Sequence, residues 1–155
     1  MKKTNQILFA AVLMLLSFTV IGQIHIITLN VDTANLTPDN ASSETISHFT
    51  APTATIDVAS PPEDFEITVE DGATIIWEGA STSSDDTVDI FMIKREHGPR
   101  IFSTNDIPRN ENGRVQGTIR RRTNDEAFKY KILFKVNGTG RMYQIDPKIR
   151  VGAGG

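Results

Sequence analysis

The sequence predicts an all-β fold, a Greek-key β-sandwich of cupredoxin-like or immunoglobulin-like type lying behind an amino-terminal signal peptide. Three observations predict it. The stretch Phe128 to Val136, FKYKILFKV, alternates apolar and mostly basic residues, as a strand must when one face meets a core and the other meets water. Shorter alternating runs recur along the chain between clusters of Gly, Pro, Asn, Asp and Ser. No stretch beyond residue 22 carries the apolar repeat of an amphipathic helix.

The amino terminus sets the address. Lys2 and Lys3 precede an uncharged apolar run from Ile7 to Ile21, and Val20 and Gly22 are small residues of the kind a signal peptidase reads. The run is shorter than the roughly 20 apolar residues a membrane anchor needs. Residues 1–22 are therefore expected to be a signal peptide and residues 23–155 a single β-sandwich domain, secreted or periplasmic, meeting a membrane only during export. The chain has no cysteine, which excludes both an acylated lipoprotein anchor and disulfides. Cleavage after Gly22 leaves 133 of 155 residues, with 14 basic against 19 acidic side chains and a net charge of −5. That length suffices for one hydrophobic core, and that charge disfavours nucleic acid as a partner.

The elements follow in order. Ile24 to Val31 is the first strand, with Ile27, Leu29 and Val31 on one face and His25 near the new terminus. Residues 32–47 have loop composition, Thr53 to Val58 is a short strand, and Ser60-Pro61-Pro62 ends it. Phe65, Ile67 and Val69 alternate with polar residues up to a corner at Asp71-Gly72, after which Ala73 to Glu78 is again extended. A tight hairpin at that corner would leave Trp77 on a charged face. A crossing to the opposite sheet buries it, and the apolar surface of a tryptophan favours the crossing. Gly79 to Asp86 reads as a polar loop. Thr87 to Lys94 has apolar residues on both faces and is expected to be a central strand covered on both sides. Ile101-Phe102 reads as a short edge piece, 105–113 as a loop, and Val115 to Arg122 as a strand carrying three arginines. After the Phe128 strand, Arg141 to Ile145 and Lys148 to Val151 are joined by Asp146-Pro147, where proline fits a strand switch better than a ladder interior.

Charge is unevenly distributed. Thirteen acidic residues and no lysine or arginine lie between Gln23 and Met92, whereas fourteen basic and six acidic residues follow from Ile93. Interleaving of strands from the two halves would bring these charges together as pairs between neighbouring strands.

The segment ITVEDGATIIWEG, followed late in the chain by the strand containing Tyr130, resembles the cupredoxin sandwich. Ile132 stands where that family has its cysteine ligand and Lys135 where it has a histidine, and a blue-copper centre requires the thiolate. The resemblance thus implies the fold without its metal chemistry. The order of the pieces also resembles the inclusion-body protein family of AidA and PixA. An apolar strand ending in Asp runs from Ile27 to Asp32, and a corner at Asp71-Gly72 precedes the strand with Trp77. An aromatic-rich strand runs from Tyr130 to Val136, and the end is Asp146-Pro147-Lys148-Ile149. This order spans nearly all of the chain beyond residue 22. It implies a shared fold and brings no catalytic residues with it; the export signal departs from a cytoplasmic inclusion role.

The chemistry present is sparse. There is no Gly-x-Ser-x-Gly elbow, and no spacing sets a serine beside His25, His48 or His97, so no enzyme is expected. The three histidines, with Met92 and Met142, are the candidate ligands for copper or zinc, although their spacing matches no paired-ligand motif. Asp85, Asp86 and Asp89 lack the oxygen pattern of a calcium loop. Arg120 and Arg122 share one strand face and Arg121 takes the other, which suits a charged edge rather than an anion site. Trp77 is the candidate ligand-binding platform, if exposed. The reading is a secreted or periplasmic, non-enzymatic sandwich without cofactor, structural or ligand-binding, with a protein or glycan partner; the alternative is an exported metal-binding protein using His and Met ligands.

Overall fold

The computed structural model describes residues 22–124 and 126–152, so the expected signal peptide lies outside the described residues. Eleven strands and no helix occur among them. They are β1 (Ile24–Val31), β2 (Ser47–Thr50), β3 (Thr55–Val58), β4 (Glu66–Glu70), β5 (Thr74–Ser81), β6 (Val88–His97), β7 (Asp106–Pro108), β8 (Val115–Thr118), β9 (Phe128–Val136), β10 (Thr139–Ile145) and β11 (Lys148–Gly152). A four-stranded sheet has the order β2-β1-β5-β8, and a seven-stranded sheet has the order β3-β4-β11-β9-β6-β7 with β10 also paired to β9. The two sheets share one hydrophobic core, making a β-sandwich.

β9 organises the larger sheet because its alternation leaves no choice of face. Phe128, Tyr130, Ile132 and Phe134 are buried, and the lysines between them face outward. One edge of β9 pairs with β6 along its length. The other edge is shared: β10 covers it from Ile132 to Val136, and β11 takes it over at Phe128 and Lys129 before running parallel to β4. Asp146-Pro147 is the handover, and the Tyr130 amide donates to the Pro147 carbonyl at 3.1 Å. Proline is tolerated because its missing N–H falls between two pairings rather than inside one.

The Asp71-Gly72 corner carries the chain between sheets, since β4 lies in the larger and β5 in the smaller. Gly72 has φ of +83°, a left-handed conformation that glycine adopts without a Cβ penalty. The crossing puts Ile75 and Trp77 into the core beside Ile27, Leu29 and Val31 of β1. β1 and β5 are parallel over all eight residues, and β4 and β11 are parallel over five. Strands far apart in sequence thus form the spine of each sheet.

Several expectations are corrected. β6 is not covered on both faces: a bulge between Ile90 and Met92 makes Phe91 the extra residue, so Val88, Ile90 and Ile93 all reach the core while Phe91 turns outward. There the Phe91 ring lies 4.8 Å from the Arg109 guanidinium carbon and 5.1 Å from the Lys135 ammonium. β5 continues through Gly79 to Ser81 because β1 pairs with it that far. β7 occupies part of the expected 105–113 loop and pairs with β6. Ile101 and Phe102 are buried but form no strand; the Ile101 carbonyl instead accepts from the Arg120 amide at 2.7 Å. β8 stops at Thr118, so the three arginines lie beyond it, all exposed.

The two charge halves do interleave. Arg109 pairs with Asp89 at 3.5 Å, Arg122 with Asp71 at 3.7 Å, and Lys148 with Asp64 at 3.1 Å, each a cation of the second half on a carboxylate of the first. Arg150 pairs with Glu66 in the same way across the β4–β11 ladder.

Candidate functional site

Trp77 is only 2% exposed. Its Nε1–H donates to the Tyr130 hydroxyl at 3.2 Å, and its ring meets Phe102 and Tyr130 edge-on at 5.7 and 5.9 Å between centroids. The expected alternative of a stacking platform for sugars is corrected by this burial: an indole enclosed by the core offers no face to a ligand. Burial pushes the Tyr130 phenol far above its ordinary range, with the Trp77 hydrogen bond opposing in part, so the hydroxyl stays neutral.

The metal candidates do not converge. His48 lies on the outer face of the four-stranded sheet, and His97 is at the end of β6, 80% exposed and 3.4 Å from Glu126. Met92 sits on β6 opposite Leu133, and Met142 is on exposed β10. No group of three or more His, Cys, Asp or Glu side chains suited to a metal occurs among the described residues.

His25 has a different place from the one its neighbourhood suggests. It shares the inward face of β1 with Ile27, Leu29 and Val31 and is 2% exposed. Its Nδ1 lies 3.0 Å from the Thr53 hydroxyl and its Nε2 lies 3.0 Å from Glu70 Oε2. Sequence spacing sets no hydroxyl beside this histidine; the fold does. The order hydroxyl, imidazole, carboxylate is that of a hydrolytic triad. Here, however, the ring is sealed, the Thr53 hydroxyl also reaches the Ile24 carbonyl at 3.4 Å, and Thr53 lines none of the grooves described below. The three residues tie β1, the loop after β2 and the end of β4 together at the mouth of the sandwich.

Two surface features remain. The first is a polar hollow of about 300 Å³ beside β10, lined among others by Asp39, Glu63, Arg141, Tyr143 and Asp146. Burial raises the Asp146 carboxyl above its ordinary range, the nearby Glu96 raises it further, and Lys131 and Lys129 oppose. Its Oδ1 is buried without a hydrogen-bond partner, hence closed to a ligand as well. The second is the outer face of the four-stranded sheet. The register of β1 on β5 places Ile24, Ile26 and Thr28 beside Thr74, Ile76 and Glu78. Ile24 is 56% and Ile26 39% exposed. Next to them lies an open apolar groove of about 560 Å³, with Ile26, Phe49, Pro52 and Ile56 in its walls. Sequence reading missed this face, although its signal is plain: the strands that build it lack lysine and arginine altogether.

Among solved structures, the chain is similar to the crystal structure of an inclusion body protein, PixA, from Burkholderia cenocepacia, with 14% identity and a TM-score of 0.53 over 88% of this chain and 98% of that one. The likeness shows a shared fold and agrees with the order of motifs along the sequence. No protein-family model matches the sequence, and no curated protein matches it.

Proposed function

We propose that this chain is an exported, non-enzymatic β-sandwich that acts as a structural and binding module and needs no cofactor. The observation that carries the reading is the contrast between interior and surface. The chemically capable groups inside, Trp77, Tyr130 and His25, are consumed in mutual contacts. The exposed feature with binding character is a largely apolar face on which Glu78 is the one charge its strands carry. PixA, of the same fold, is an inclusion body protein, which supports a structural role for this chain, with the export signal directing it to the periplasm or medium.

The test is to express the full chain, purify it from the exported fraction, sequence its amino terminus and measure its metal content. The reading expects a chain beginning at Gln23 with no stoichiometric metal. A protein retained in the cytoplasm, or one carrying an equivalent of copper or zinc, contradicts it.

A further inference from the structure

We propose that the outer face of the four-stranded sheet is a homotypic interface, on which a second copy of this chain docks face to face. The proposal deepens the structural-module reading and rests on it, by naming the partner.

Charge carries the first part of the argument. The 24 residues of β1, β2, β5 and β8 include one Asp, Glu, Lys or Arg, which is Glu78. The 43 residues of the other seven strands include fourteen. The outer face of the larger sheet is therefore a solvated, charged surface, whereas that of the smaller sheet is made of isoleucine, threonine and small polar side chains. A chain of net charge −3, and more negative still without Lys2 and Lys3, repels its own copies over most approaches. This face is where two copies meet with the least repulsion, and charge depletion at the centre of a patch is the compositional mark of an interface core.

Geometry supplies the second part. An isologous dimer needs a patch that complements itself under a two-fold rotation. Let the axis pass through the rung where Ile26 and Ile76 are neighbours. Glu78, two residues beyond Ile76, then comes opposite Thr74 of the partner subunit, which is two residues before it. The Thr74 and Thr118 hydroxyls lie 3.1 Å apart on adjacent strands and together offer a donor to that carboxylate. The two Glu78 carboxylates are separated by about four residues of strand, roughly 13 Å, beyond the screening length of about 8 Å at physiological salt. The one charge carried by the four strands thus finds a hydroxyl partner rather than its own image, and Arg114, just before β8, lies at the margin beside it. Exposed Ile24 and Ile26 pack at the centre, and the groove walled by Pro52 and Ile56 receives the rim.

Area sets the strength. Two strands of about 26 Å and two of about half that length, spaced about 4.8 Å apart, present a flat footprint near 400 Å² per copy. A standard stable interface buries about 800 Å² on each side. The association is accordingly weak and concentration-dependent, with a Kd on the order of micromolar or above.

Sedimentation equilibrium of the purified protein, from about 1 µM to about 1 mM, is the test. The wild type is expected to pass reversibly from monomer to dimer. Ile26→Lys, at an exposed site that can hold a lysine without unfolding the strand, is expected to raise Kd at least tenfold, since symmetry enters the substitution twice. Gln144→Lys, on exposed β10 of the larger sheet and away from this face, serves as control and is expected to leave Kd unchanged. The two variants are accepted only with thermal melts within a few degrees of wild type; Ile26→Thr, which keeps the β-branch, replaces a variant that fails. A wild type that stays monomeric throughout, or a dimer that Ile26 variants leave intact, overturns the proposal. Failure of the parent reading looks different: stoichiometric metal or cytoplasmic retention overturns that reading whatever the oligomeric state.

Discussion

Replacing Tyr130 with Phe removes one oxygen from the middle of the core and nothing else. That oxygen accepts the Trp77 indole N–H at 3.2 Å, and both side chains are at most 2% exposed. Water cannot reach the indole to take over. A buried donor left without a partner costs about 1–3 kcal/mol, more than the roughly 1 kcal/mol net worth of an ordinary hydrogen bond, because the desolvation of the indole is no longer offset. One kcal/mol shifts the melting temperature by about 2–8 °C in domains that bracket this size. Tyr130→Phe is thus expected to melt several degrees below wild type in urea or heat. Trp77→Phe should cost more, about 3 kcal/mol, since it also opens a cavity beside Phe102. The double variant removes both donor and acceptor, so its cost should fall short of the sum by about 1 kcal/mol, the coupling that a double-mutant cycle reads directly. Chemical denaturation followed by far-ultraviolet circular dichroism measures all three without depending on the tryptophan signal. A Tyr130→Phe protein within about 0.3 kcal/mol of wild type, with additive singles, would refute the claim that this hydrogen bond is closed to solvent.

Further predictions follow from the charged groups. His25→Ala leaves Glu70 without its imidazole partner, and Oε1 of that carboxylate is already buried without a hydrogen bond. A loss of about 2–3 kcal/mol in urea denaturation is expected, below the range for fully buried pairs because Glu70 is partly exposed. Asp146→Asn is expected to stabilise the fold at neutral pH. The folded state raises the Asp146 pKa, so its ionised form costs stability as pH rises from 3.8 through the raised value. The variant escapes that cost, and its advantage should close again below pH 3.8 in a pH series of melts. Asp86 behaves oppositely. Hydrogen bonds from Ser84 and Asn137 lower its pKa, so the tie between the 81–86 turn and the β9–β10 turn holds above its unfolded pKa and is lost as pH falls through the lowered one. Amide hydrogen exchange in residues 82–87 should accelerate over that acid range while the β9 amides stay protected.

Much of the fold was legible because alternation leaves little freedom. β1 and β9 have the expected bounds, residue for residue, and the choice of a sheet crossing over a hairpin at Asp71-Gly72 followed from the indole's need for burial. β6 was misread because an alternation argument assumes an unbroken ladder, and the bulge at Phe91 shifts every later residue to the other face. The parallel pairings of β1 with β5 and β4 with β11 have no local signal, since strands that never meet through a short turn leave no turn chemistry between them. His25 was legible after all: it keeps phase with Ile27, Leu29 and Val31, and that phase outweighs its closeness to the expected terminus. Its partners were not, because Thr53 and Glu70 are 28 and 45 residues away. The uneven charge along the chain had two consequences, of which sequence reading anticipated one. Opposite charges meet between strands of the two halves, as in Lys148 with Asp64. The four strands of the smaller sheet, three of them from the half without cations, also share a face with almost no charge.

A core built around Trp77 and Tyr130 is expected to hold the protein together without disulfide or cofactor. A thermal melt of the purified protein tests it most directly, first without additive and then with copper, zinc and calcium in turn. One cooperative transition that no metal moves is the predicted result, because a native state without a site gains nothing from the ion. A rise of several degrees with any one metal would contradict it and make His25, His48 and His97 the first residues to replace.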